Sequence, residues 1–132
     1  MRNLILAAFI FAGILATSCS KEPGRGGRTT LKGTLMVTYI EESDSTILGI
    51  EPLSDERVYI IYGNGSTNDD DVRSSYDGTF KFDFLHEGSY KLYAYSECTT
   101  CLTKREEVVI ETEIPKKSDQ VDIGILMITR YK

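Results

Sequence analysis

Cys98-Thr99-Thr100-Cys101 is the sharpest chemical spacing in this sequence of 132 residues. Two thiols so placed can close a disulfide, run dithiol chemistry or supply part of a zinc site. Redox pairs of this spacing sit at a helix N-terminus, which lowers the thiol pKa. Here the pair falls between two strand-like runs, with Leu102 and Lys104-Arg105 following. Two cysteines alone do not complete a four-ligand zinc site. The expectation is a structural disulfide between Cys98 and Cys101 with no metal; a redox pair and a zinc site are the alternatives. His86, the single histidine, lies in Leu85-His86-Glu87-Gly88-Ser89, a turn composition, and is expected to be solvated rather than a general base. No nucleophile–base pair stands out, so the expectation is a protein that is not an enzyme, with no catalytic residue and no cofactor. Gly63 to Asp71 gathers oxygen ligands, yet the alternating acids of an EF-hand are absent. The Asn68–Asp71 segment is expected to be a solvated loop tip, with calcium as the alternative. Contact chemistry is better supplied. Tyr59, Ile61, Tyr93 and Tyr95 occupy the polar positions of two strand-like runs, where a tyrosine offers an apolar ring and a wet hydroxyl. If those runs are neighbours, the four form a patch for a protein, or less readily for a glycan, because tryptophan is absent. The alternative is a cross-strand tyrosine ladder that only stabilises a sheet.

The elements that must position these groups have a period of two. Phe80, Phe82 and Phe84 alternate with Thr79, Lys81 and Asp83, and Tyr90, Leu92 and Ala94 alternate with Lys91, Tyr93 and Tyr95. Leu31, Leu35, Val37 and Tyr39 share a face in a first strand, with Gly33 among them. Arg57 to Tyr62, Glu106 to Ile114 and Val121 to Thr129 are further β-branched, apolar runs, and Arg73 to Tyr76 is a short extra one. No stretch has amphipathic helical periodicity. Seven strands separated by turn signals predict an all-β, antiparallel sandwich. Asp77-Gly78 accepts positive φ and is expected to join Arg73–Tyr76 to Thr79–Phe84 as a hairpin. The Asp44–Pro52 region is irregular.

These runs carry a resemblance. Lys32-Gly33-Thr34, Glu56-Arg57-Val58-Tyr59-Ile60, Asp77-Gly78-Thr79-Phe80-Lys81-Phe82 and Leu85-His86-Glu87-Gly88-Ser89-Tyr90-Lys91-Leu92 are similar, in that order, to the prealbumin-like domains. Those occur as carboxypeptidase regulatory-like modules and as B-type repeats of bacterial collagen adhesins. The resemblance covers about Leu31 to Ile128 and implies an Ig-like, prealbumin-like sandwich; its motif residues are turn and core positions, so it implies fold rather than task. Hydroxyisourate hydrolases share a transthyretin fold but use several histidines and a C-terminal Tyr-Arg-Gly-Ser, whereas this chain has one histidine and ends Thr129-Arg130-Tyr131-Lys132. Adhesin repeats often carry a lysine–asparagine crosslink between first and last strands; Lys32 lies in the first strand here, but the last strand offers Asp122 and no asparagine, so no such bond is expected.

The beginning of the chain carries a second resemblance. Arg2, the apolar run Leu4 to Leu15, the small residues Ala16-Thr17-Ser18 and then Cys19 resemble a bacterial lipoprotein signal with its lipobox. Twelve residues at about 1.5 Å each reach roughly 18 Å, too short for a bilayer core of about 30 Å. The resemblance implies a cleaved signal peptide over 1–18, diacylglycerol and palmitate on Cys19, and an outer-membrane lipoprotein. The expected organisation is therefore a lipidated Cys19 and a flexible glycine-rich tether over 19–29, then a sandwich domain over 30–132. Lys21-Glu22 is similar to the charged signal that sends some lipoproteins to the cell surface; the periplasmic leaflet is the alternative. Removing the signal leaves 20 Asp and Glu against one base fewer than the chain's 15 Lys and Arg. So acidic a body repels nucleic acid, which leaves the membrane through Cys19 and a protein as expected partners. The expected function is a non-catalytic binding or adhesion module, with an envelope assembly subunit pairing through its sheet edges as the alternative.

Overall fold

The computed structural model describes residues 21–132; the expected signal over 1–18 and Cys19 lie outside the described residues. Eight strands run in chain order: β1 (Arg25–Ile40), β2 (Ile47–Pro52), β3 (Arg57–Tyr62), β4 (Asp70–Arg73), β5 (Thr79–Leu85), β6 (Gly88–Glu97), β7 (Arg105–Ile114) and β8 (Gln120–Tyr131). They form two packed sheets of four. In one, β1 is central, with β8 along one edge and β5 then β2 along the other; the second has the order β4-β3-β6-β7. The all-β sandwich expected from the period-two pattern is the fold observed. Every ladder is antiparallel except β1–β8, which is parallel from Thr30↔Gln120 to Ile40↔Tyr131.

Alternation decides what is buried. Leu31, Leu35 and Val37 of β1, Phe80, Phe82 and Leu85 of β5, and Leu126 and Ile128 of β8 face Val58, Ile60, Tyr90, Leu92, Ala94 and Ile114 of the other sheet. Each Val, Leu, Ile or Phe side chain here contributes about 1.5–3 kcal/mol on burial, which makes this layer the main source of stability. Gly33 lies in the same layer because a Cβ there would sit 2.7 Å from both Phe80 and Ile123.

Several expectations are corrected. The count is eight strands rather than seven, because Ile47–Pro52 pairs with β1 from Met36↔Pro52 to Ile40↔Ile47. The short strand lies at Asp70–Arg73 rather than Arg73–Tyr76, so Asp70 and Asp71 belong to a strand and not to a loop tip. Asp77-Gly78 does turn the chain tightly, with Gly78 N–H donating to Ser75 O at 2.9 Å and Ser75 N–H to Thr79 O at 2.8 Å. It is not a hairpin, because β4 pairs with β3 while β5 pairs with β1 in the opposite sheet. Phe84 leaves the aromatic face: its φ of 59° turns the ring outward, 70% exposed, and Leu85 takes the core position. The tether is shorter than expected, since Arg25 to Thr29 already belong to β1. Its glycines serve close approach rather than flexibility. A Cβ on Gly27 would lie 2.0 Å from Leu85 O, and Gly24 accepts from His86 N–H at 2.8 Å.

Candidate contact surface on the outer face of β3 and β6

Antiparallel pairing of β3 with β6 sets Tyr59 opposite Tyr93 and Ile61 opposite Lys91. Because Val58, Ile60, Leu92 and Ala94 are buried in the core, alternation turns Tyr59, Ile61, Tyr93 and Tyr95 together onto the outer face. The four residues singled out in the sequence are thus neighbours. The Tyr59 and Tyr93 rings stack at 4.9 Å with an interplanar angle of 13°. Tyr95 meets both edge-on at 5.7 Å, and the Arg105 guanidinium lies 4.4 Å over the Tyr95 ring. Val109 continues the row opposite Tyr93 and is 46% exposed. Arg57–Asp71 at 3.1 Å and Lys91–Glu111 at 4.0 Å rim the cluster.

The arrangement divides the expected patch. Tyr93 faces outward but is covered by its neighbours, with 6% of its surface exposed, so it acts as the ladder's centre rather than as a free contact. Tyr59, Ile61 and Tyr95 are half-buried and present edges and hydroxyls. A stacking platform for sugar needs a free ring face. Tyr59 and Tyr93 each give one face to the other, Tyr93 is covered, and Tyr95 carries Arg105 on one side, so the surface suits a mixed apolar and charged protein contact better than a broad stacking platform.

Burial pushes the Tyr93 hydroxyl up to about 12, with the nearby Tyr95 and Glu107 adding to the shift. An unfolded tyrosine titrates near 10, so between about pH 10 and 12 the unfolded chain releases this proton first. Stability is intact below about pH 10 and falls as pH rises towards 12. The urea midpoint should fall more steeply with pH in the wild type than in Tyr93→Phe over that window. Equal slopes would exclude a buried Tyr93 hydroxyl as the source.

The other candidates take simpler roles. Cys98 and Cys101 form the expected disulfide, with Cα atoms 5.4 Å apart, in the loop joining β6 to β7. His86 sits in the β5–β6 turn; its carbonyl accepts from Tyr90 Oη at 2.7 Å, and its Nε2 packs against the Gly26 backbone. Neither contact brings it a nucleophile. The three adjacent acids diverge instead of converging on one point. Asp69 accepts from Tyr62 N–H at 2.7 Å, Asp70 pairs with Arg25, and Asp71 pairs with Arg57 on the opposite face of β4. Lys32 and Asp122 are paired in register and their charged ends lie 4.0 Å apart, with Lys32 partly and Asp122 mostly exposed. Sequence reasoning missed a second apolar surface: Ile47, Leu48 and Ile50 on β2, with Ile125 and Met127 on β8, are exposed. Its signal on β2 is the Ile-Leu-Gly-Ile run, which has no clean alternation.

No protein-family model matches the chain, and no curated protein matches it. Among solved structures, the chain is similar to a candidate carbohydrate-binding protein from Pseudomonas aeruginosa, with 14% identity and a TM-score of 0.49 over 81% of this chain and 91% of that one. It is similar to a 9R-lipoxygenase from Cyanothece at 14% identity and a TM-score of 0.43, over 76% of this chain and 16% of the enzyme. An (S)-allantoin synthase aligns at 11% identity and a TM-score of 0.41, over 81% of this chain and 43% of that one. The chain therefore spans a minor part of both enzymes. At these identities none of the three assigns a site or an activity here.

Proposed function

We propose that this protein is a lipid-anchored binding module of the bacterial outer membrane, held through Cys19 and displayed at the cell surface, that captures a protein partner without catalysis. The observation that carries the reading is the outer β3–β6 face, where Tyr59, Ile61, Tyr95 and Val109 surround the covered Tyr93 inside a charged rim. Aromatic residues at the centre of a patch, ringed by charges, are the usual anatomy of a protein contact. A glycan fits less well, because one face of each of the three rings is already occupied. The lipobox-like Ala16-Thr17-Ser18-Cys19 supports the anchor, and β1 begins six positions later, so the domain sits close to the bilayer that holds it.

A second reading, an assembly subunit that pairs through a sheet edge, is favoured by one observation. β2 is an edge strand whose Ile47, Leu48 and Ile50 are each more than half exposed. Unpaired apolar edges invite strand addition. Pro52 on this strand has no N–H to offer a partner, which places this reading second.

Protease treatment of intact cells, with a periplasmic protein followed in parallel, tests the display. The domain is expected to be lost while the control survives. Protection until the outer membrane is opened would overturn surface exposure and place the module on the periplasmic leaflet.

A further inference from the structure

The loop that joins β6 to β7 holds more than a disulfide. Cys98 Sγ, Cys101 Sγ and a Glu106 carboxylate oxygen all lie within 4.8 Å of one another. Ladder pairing places each end. Ser96 is opposite Glu106 and Glu97 opposite Arg105, which fixes the Glu106 backbone beside the loop. The loop is also closed without its sulfurs: Cys98 N–H donates to Lys104 O at 3.0 Å, Lys104 N–H to Cys101 O at 3.1 Å, and Lys104 Nζ to Thr99 O at 3.1 Å. So short a covalent ring removes little chain entropy, and the hairpin's backbone bonds do not depend on it.

We propose that this disulfide is a reducible cap and that its dithiol form, with Glu106, is a site for one thiophilic divalent cation such as zinc. A tetrahedral zinc site takes sulfur at about 2.3 Å and carboxylate oxygen at about 2.0–2.2 Å, so its ligand atoms stand about 3.5–4 Å apart. The Glu106 oxygen already lies within 4.8 Å of both sulfurs, and the sulfurs, bonded to each other in the disulfide, move apart to that spacing by side-chain rotation once reduced. Cys98 is buried, Cys101 is half-buried and Glu106 is exposed, so the ion enters from the solvent side and water fills the fourth position. The reduction balances with a dithiol as co-reactant. The dithiol passes two electrons and two protons to the Cys98–Cys101 bond and itself becomes a disulfide. The cation then displaces both thiol protons as two sulfur–metal bonds form. The reverse exchange with an external disulfide, which takes up the two electrons and leaves as two thiolates, closes the cap and frees the ion, so metal occupancy reads out the thiol–disulfide balance around the domain.

The test uses the chain from residue 20 onward, which holds all eight strands and the whole core. It is reduced with dithiothreitol, freed of reductant under anaerobic conditions and titrated with cadmium as a zinc surrogate. The thiolate-to-cadmium ultraviolet band and proton release in weak buffer are followed together. One equivalent should bind to the reduced protein, with release of up to two protons according to how far the thiols are already ionised, and none to the oxidised protein. Cys98→Ser and Cys101→Ser should each abolish the band, and Glu106→Gln should weaken binding about tenfold while leaving the disulfide able to form. A reduced wild type that binds no more cadmium than the oxidised form overturns the site. Cadmium binding unchanged by Glu106→Gln overturns the third ligand, and loss of the β-sheet circular dichroism on reduction overturns the prearranged loop.

Discussion

Tyr93→Ala should cost about 3–5 kcal/mol of stability, the range for deleting a buried aromatic side chain, whereas Tyr95→Ser should cost about 1 kcal/mol or less. The two residues are both on the outer face of β6, two positions apart, yet their surroundings differ. Tyr93 is 6% exposed, stacked on Tyr59 and edged by Tyr95, so its removal opens a hole in the middle of the face. Tyr95 is only partly buried and loses one edge contact to each neighbour and the Arg105 guanidinium over its ring, interactions of about 0.5–1 kcal/mol each that solvent partly replaces. Urea unfolding of the two variants checks the contrast. Similar costs would mean that the cluster is not organised around Tyr93. The contrast also decides which substitution can report on binding: Tyr95, with Tyr59, is the position to change, because a Tyr93 variant confounds contact with folding.

Cys19→Ser should move the protein from the membrane fraction to the soluble fraction and abolish palmitate incorporation. The size of the effect follows from the chains. Each buried methylene contributes about 0.8 kcal/mol, a single myristoyl group gives an association constant of only about 10⁴ M⁻¹, and two or more chains hold a protein almost permanently. Among the described residues, no helix is long and apolar enough to cross a membrane; the proposed anchor is an acyl group on Cys19. Membrane fractionation with palmitate labelling checks it. A Cys19→Ser protein that stays with the membrane would mean that another surface holds it there, with the exposed Ile47, Ile50, Ile125 and Met127 the first to examine.

The sandwich was legible because alternation is a strong signal wherever one face of a strand is buried. Phe80 and Phe82, Tyr90 and Leu92, and Val58 and Ile60 all lie where period two puts them. What failed was local. A positive φ at Phe84 reverses the alternation by one residue, and nothing in Phe-Asp-Phe-Leu announces it. Gly24 to Gly27 have the composition of a linker, yet they pack against Leu85 and His86, a close approach that only the partner strand reveals. Asp77-Gly78 turns as expected, but turn chemistry does not say which sheet the next strand joins. The parallel β1–β8 ladder pairs elements some ninety residues apart, beyond any local pattern. The contact face was legible as residue types; that Tyr93 is covered while Tyr59 and Tyr95 form the rim depends on ring packing, which spacing does not encode.

The central claim is that the outer β3–β6 face touches a partner. It is tested most directly by a photo-crosslinking amino acid placed at position 95 in cells that make the full-length protein. The same group at Lys81, exposed on the outer face of the opposite sheet, serves as the control. A discrete heavier adduct from position 95 and none from position 81 is the predicted result. No adduct from position 95, or the same adducts from both positions, would contradict the account.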